Sequence, residues 1–146
     1  MFYLLYPEVA GGKGPHTRMD TSTHPPVVEH LEYRFEAYDG EALVTTFPCF
    51  IVTQTLAKRL EESSLHGYLL GEVEVSRSAE MEELYPTVEL PEFRLLTING
   101  VPTVDDFGLL YSQDLIVSEA ALDILQDGFL VNCIVEDYEE LIVVGG

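Results

Sequence analysis

Residues 30–38, HLEYRFEAY, alternate strictly: Leu31, Tyr33, Phe35 and Ala37 fall on one face, Glu32, Arg34 and Glu36 on the other. A period of two predicts a half-buried, antiparallel strand, and Asp39-Gly40 after it predicts a turn. Shorter apolar runs predict strands at 2–6 (FYLLY), 49–52 (CFIV), 68–75 (YLLGEVEV), 93–98 (FRLLTI), 115–117 (LIV) and 129–135 (FLVNCIV). Asn99-Gly100 closes the strand at 93–98 as a strong turn signal. Three segments take helical spacing instead, each behind a hydroxyl residue suited to an N-cap. Thr53 precedes TLAKRLEESS, with Leu56, Ala57 and Leu60 on one stripe; Ser78 precedes a short helix stopped by Pro86; Ser118 precedes a helix to about Leu125. Gly11 to Pro26 is rich in Gly, Thr, Ser and Pro and reads as an irregular loop or a surface arm.

A shift of 65 residues superposes two of these units. Ile51-Val52-Thr53-Gln54 meets Ile116-Val117-Ser118-Glu119, Leu56, Ala57 and Leu60 meet Ala121, Leu122 and Leu125, and Leu65 meets Leu130. Each unit reads strand, capped helix, turn, strand, with one helix stripe turned to a sheet. Lys58 and Arg59 on the first helix become Asp123 and Ile124 on the second. The expected fold is therefore α+β or α/β: one domain over 1–146 with a mixed sheet, two or three short helices and a tandem strand–helix–strand repeat. Its expected core includes Phe35, Phe50, Ile51, Val52, Leu56, Leu60, Leu96, Ile116, Val117, Leu122, Leu125 and Ile134.

Charge alters the picture. The 146-residue chain carries 26 acids against seven bases, and no Lys or Arg follows Arg94. The last 52 residues hold ten carboxylates and a formal charge of -10; the first 94 hold every base and sum to -9. Such a field repels nucleic acid, anionic membranes and anionic substrates, and attracts basic surfaces. A hydrophobic content of 47% with a mean hydropathy of +0.12 argues against disorder. Cys49 and Cys133 each sit in an apolar run and read as reduced core thiols. The N-terminus lacks a basic, long-apolar signal pattern and no run reaches the length of a membrane span, so a cytoplasmic location is expected.

No catalytic constellation stands out. His16, His24 and His30, with Asp20 between them, match no ordinary zinc spacing, and neither metal nor cofactor is expected. Asp105-Asp106-Phe107-Gly108 lacks the other motifs of a phosphotransfer site, and Gly11-Gly12-Lys13-Gly14 lacks the phosphate-loop spacing. Adjacent carboxylates such as Glu61-Glu62 and Glu82-Glu83 point apart and make poor acid–base partners. The two cysteines sit in apolar strands rather than beside a base. The terminal Gly145-Gly146 reads as an ordinary chain end.

The order of elements carries a resemblance. The apolar pair, Ser and Glu before the striped helix at 115–130, the FIVT element at 50–53, Asp105-Asp106-Phe107-Gly108, the Leu65-His66-Gly67 turn and Tyr85-Pro86 resemble recurring elements of bacterial immunity proteins that accompany polymorphic or contact-delivered toxins. The resemblance spans about residues 49–135. It implies a small non-enzymatic cytoplasmic protein that binds a cognate toxin and blocks it. The acidity fits a partner with a basic groove, such as a nuclease. The expected contacts are Asp105, Asp106, Glu136, Asp137, Glu139 and Glu140, with Phe107, Tyr111 and Tyr138 as aromatic anchors. The alternative is a structural or regulatory interaction module, for instance a homodimer built on the apolar strand at 141–144.

Overall fold

A computed structural model describes residues 1–138. Among them the strands are β1 (Phe2–Tyr6), β2 (Gly11–Lys13), β3 (Arg18–Asp20), β4 (Val27–His30), β5 (Glu32–Phe35), β6 (Leu43–Thr46), β7 (Cys49–Thr53), β8 (Tyr68–Gly71), β9 (Glu74–Arg77), β10 (Phe93–Ile98), β11 (Phe107–Leu109), β12 (Leu115–Ser118) and β13 (Ile134–Tyr138). The helices are α1 (Gln54–Glu61), α2 (Ala79–Leu84) and α3 (Glu119–Leu125). The domain is mixed, as expected, but it is dominated by strands.

The strands form two four-stranded sheets, β6-β7-β10-β8 and β11-β12-β1-β13, a three-stranded sheet β2-β5-β9 and the pair β3-β4. The β6–β10 sheet is the middle layer. One face, through Phe50, Val52 and Leu96, packs with Leu5, Leu115 and Val117 of the β1–β12 sheet and with the apolar stripes of α1 and α3. The other face, through Cys49, Ile51, Phe93 and Leu95, packs on Leu31, Tyr33 and Phe35 of β5 and on Met81 of α2. Tyr33 ties the second layer in place: its buried hydroxyl accepts the Ala10 N–H at 3.0 Å and donates to the Thr45 carbonyl at 2.8 Å. That burial raises its pKa well above the ordinary tyrosine value.

The 65-residue shift read from the sequence also relates the pairing of the two large sheets. Leu70 and Gly71 of β8 oppose Leu96 and Leu95 of β10; Val135 and Glu136 of β13, 65 residues on, oppose Leu5 and Leu4 of β1. Val52 and Ile51 oppose Arg94 and Leu95, just as Val117 and Ile116 oppose Tyr3 and Leu4. β1 and β10 thus hold equivalent places, with matching sequences FYLL and FRLL. Each is the inner strand of a sheet whose other three strands come from a different part of the chain.

Beyond this shared apolar packing, a hydrogen-bonded joint links the two units. Asp106 accepts the His66 N–H at 2.8 Å through Oδ2 and the Ser118 hydroxyl at 2.7 Å through Oδ1, while its carbonyl accepts the Ser118 N–H at 2.8 Å. The Phe107 N–H donates to the His66 carbonyl at 3.2 Å. Gly67 sits at this crossing with φ +103°, and a Cβ there would strike the Phe107 carbonyl.

Several sequence expectations need correction. The segment 11–26 is not wholly irregular, because Gly11–Lys13 pairs with β5 and Arg18–Asp20 with β4. The predicted strand at 68–75 divides at Glu72-Val73 into β8 and β9, which join different sheets; β9 runs parallel to β5. The predicted strand at 129–135 instead begins at Ile134, which is 63% exposed on an edge strand and so lies outside the core. The other expected core residues are buried. Glu32, expected on the solvent face of its strand, is 2% exposed because residues 14–17 fold over that face.

Thr53 and Ser118 cap α1 and α3 identically, accepting the Leu56 and Ala121 N–H groups at 3.2 and 3.1 Å. Losing such a cap costs about 1 kcal/mol. Ser118→Ala also strips Asp106 of a donor, so urea unfolding should show it to be more destabilising than Thr53→Ala, by about 1 kcal/mol or more. Equal losses would remove Asp106 from the joint.

Candidate functional site

The residues expected to meet a partner divide sharply in the structure. Phe107 is 1% exposed and packs edge-on against Tyr68 at 5.2 Å, filling the core between the large sheets. It is not an accessible anchor. Asp105 and Asp106 are half-buried and engaged: Asp105 Oδ2 accepts the Val101 N–H at 2.7 Å, and Asp106 holds the joint. Glu136 and Asp137 are exposed on β13, an edge strand, beside half-buried Tyr138. Glu139 and Glu140, and the apolar strand expected at 141–144, lie outside the described residues.

Tyr111 is 87% exposed and stacks on His24, ring centroids 4.4 Å apart and planes 27° apart. His24 is fixed from both sides, with Nε2 3.0 Å from the Leu109 carbonyl and Nδ1 3.3 Å from Gln113 Nε2. Tyr111 and Tyr138 border one cleft, whose walls include Ile98, Val101 and Leu109. Sequence reasoning did not find this cleft, because its walls come from the segment before β4, the β10–β11 region and β13, which are distant in sequence.

Carboxylates gather where sequence separation hid them. Asp137 of β13 stands directly opposite Tyr3 of β1, and α3, which carries Glu119 and Asp123, begins beside Met1. The Tyr3 hydroxyl is pushed above the ordinary tyrosine value by burial first and then by those three charges. Tyr6 is raised likewise by burial and then by Asp114 and Glu136. Among the described residues after Arg94 there are eight carboxylates and no Lys or Arg. They lie on α3 and β13 or in the connections flanking β11, β12 and α3, while Lys58, Arg59 and Arg94 lie on α1 and β10 of the other unit.

A second cluster lies on the small sheet. Glu32 Oε2 accepts Ser76 Oγ at 2.7 Å and Arg34 Nη2 at 3.3 Å; Oε1 accepts the His16 N–H at 3.0 Å and stands 3.3 Å from His16 Nδ1. Glu74 bridges two histidines, Oε2 to His16 Nδ1 at 2.9 Å and Oε1 to His30 Nε2 at 2.8 Å. The hydrogen bond to Glu74 raises His16 above the ordinary histidine value, helped by the Glu74 and Glu32 charges and opposed by Arg34. The Ser76 and His16 hydrogen bonds hold Glu32 below the ordinary carboxylate range despite burial. Those from His30 and His16 do the same for Glu74. Of the histidines and aspartate considered in sequence, the fold brings His16 and His30 together. It leaves His24 on Tyr111 and Asp20 with Ser22. Glu32 and Glu74 were missed because they are distant in sequence and meet only through the parallel β5–β9 pairing.

The thiols are ill-suited to nucleophilic chemistry. Burial pushes Cys49 and Cys133 each up to about 11. At neutral pH each holds about a hundredfold less thiolate than an ordinary cysteine. Native protein should react with a disulfide reagent at pH 7.5 only slowly, and both thiols should titrate at once on unfolding. A rapid native reaction would overturn this assignment.

No helix among the described residues is long and apolar enough to cross a membrane. Comparison with protein-family models, curated proteins and solved structures finds no match at all.

Proposed function

We propose that this chain is a non-enzymatic inhibitor that binds a basic bacterial toxin and occupies its substrate groove. The observation that carries the reading is the placing of Asp137, directly opposite Tyr3, with Glu119 and Asp123 of the helix that begins beside Met1, in a stretch with no Lys or Arg after Arg94. Fixed carboxylates on a strand and a helix present negative charge at defined positions, as a phosphate backbone does. They steer a basic partner at rates that fall with salt. The adjoining Tyr111–Tyr138 cleft supplies the apolar contact area that charge alone does not, since aromatic residues dominate interface energetics. The scaffold resemblance to immunity proteins supports the same reading.

The homodimer alternative gains less support. The strand at 141–144 on which it was expected lies outside the described residues; β13, an edge strand among the described ones, carries Glu136 and Asp137, and like charges are unfavourable across a ladder.

The direct test is co-expression with the C-terminal domain of the neighbouring open reading frame, scored by rescue from toxicity and by co-purification of a complex. Rescue with a stable complex supports inhibition; neither rescue nor complex overturns it. Within such a complex, the double reversal Glu136→Lys and Asp137→Lys should slow association about tenfold at low salt and flatten its salt dependence, with the fold intact by circular dichroism. Tyr111→Ala should instead speed dissociation, at a cost of about 1–2 kcal/mol. Unchanged kinetics in both variants would move the interface elsewhere.

A further inference from the structure

We propose that His16, Glu32 and Glu74 bind a divalent transition-metal ion of the zinc class. One donor atom from each of the three lies within 4.8 Å of the others. Zinc takes imidazole nitrogen and carboxylate oxygen at roughly 2.0–2.2 Å, which places tetrahedral ligands about 3.3 Å apart. His16 Nδ1 stands 3.3 Å from Glu32 Oε1 and 2.9 Å from Glu74 Oε2, close to that ligand spacing.

The surroundings have the layout of a supported ligand set. Glu32 keeps a carboxylate at 2% exposure inside a β-sheet, and burying a charge there requires compensation. Ser76 and Arg34 occupy its Oε2, which leaves Oε1 turned to His16. His30 holds Glu74 Oε1 and so orients Oε2 in the same direction. Outer contacts of this kind fix ligand geometry in metal sites. Gly14 lets the chain pass directly over Glu32, since a Cβ there would collide with the carboxyl group. His16 is 66% exposed, which provides both the entry path and an open coordination position for water. Arg34 is the one group that opposes a cation, and its guanidinium faces Oε2 rather than the gap between the three donors.

The ligands come from the segment after β2 and from strands β5 and β9. A bound ion would fasten the 14–17 segment to the parallel strand pair, on a layer that does not include the acidic sheet and helix. This inference therefore stands apart from the inhibitor reading.

The test is cobalt and zinc titration of the whole metal-stripped chain, following the visible cobalt absorption bands and the heat of zinc binding. One equivalent is expected to bind, with bands typical of four- or five-coordinate nitrogen–oxygen cobalt, and magnesium is expected not to displace it. His16→Ala, at an exposed side chain that the fold tolerates, and Glu74→Gln are each expected to weaken binding at least tenfold. His24→Ala is expected to leave it unchanged. Absence of cobalt bands and zinc heat would overturn the site, and so would binding that survives His16→Ala with full affinity. Loss on His24→Ala alone would place the ion elsewhere and overturn it equally.

Discussion

The structure depends on two strands that complete sheets begun by other parts of the chain. β1 sits between β12 and β13, and β10 between β7 and β8. Each satisfies its backbone groups on both sides, so neither large sheet closes without its inserted strand. Leu5 and Leu96, at equivalent places on these strands, are both in the shared apolar cluster. The exchange holds the two strand–helix units as one domain, and the Asp106 joint then fixes how they meet. The acidic face follows, because β1 sets Tyr3 directly opposite Asp137 of β13.

The electrostatic design differs between layers. On the β11-β12-β1-β13 sheet, exposed carboxylates repel one another with no Lys or Arg after Arg94 to offset them, a cost tolerated at a surface where water screens it. On the β2-β5-β9 sheet, Glu32 is taken out of water and surrounded by serine, arginine and a backbone N–H. Removing its partners would be costly, because an unpaired buried charge is far worse than a missing surface pair. The first arrangement faces outward at a charged surface; in the second the carboxylate is held by partners within the chain.

Much of this was legible in the chain. The three hydroxyl caps, the strands at 2–6, 49–52, 93–98 and 115–117 and the 65-residue shift all follow from local chemistry and spacing, and the structure has them. The strands Leu43–Thr46 and Phe107–Leu109 were not legible. They are short, and Phe107-Gly108 follows an acidic pair that reads as a turn; both gain their strand character by pairing with β7 and β12. Glu32 shows the limit most clearly. Alternation placed it outward, correctly for one strand alone, and only the return of residues 14–17 over that face buries it. Asp106 was legible as charge but not as a joint, since its partners, His66 and Ser118, are 40 and 12 residues away.

The exchange of β1 has a consequence for how the chain is made. β1 is synthesised more than a hundred residues before its partners, β12 and β13. On the ribosome, Phe2-Tyr3-Leu4-Leu5-Tyr6 must therefore wait, apolar and unpaired, while the rest is built. Folding of the second sheet then waits until β12 and β13 have emerged, with closure of a loop of more than a hundred residues as its slow step. During that interval the same five residues are a natural binding segment for a chaperone, and a bulky fusion beside Phe2 would be felt at the far end of the sequence.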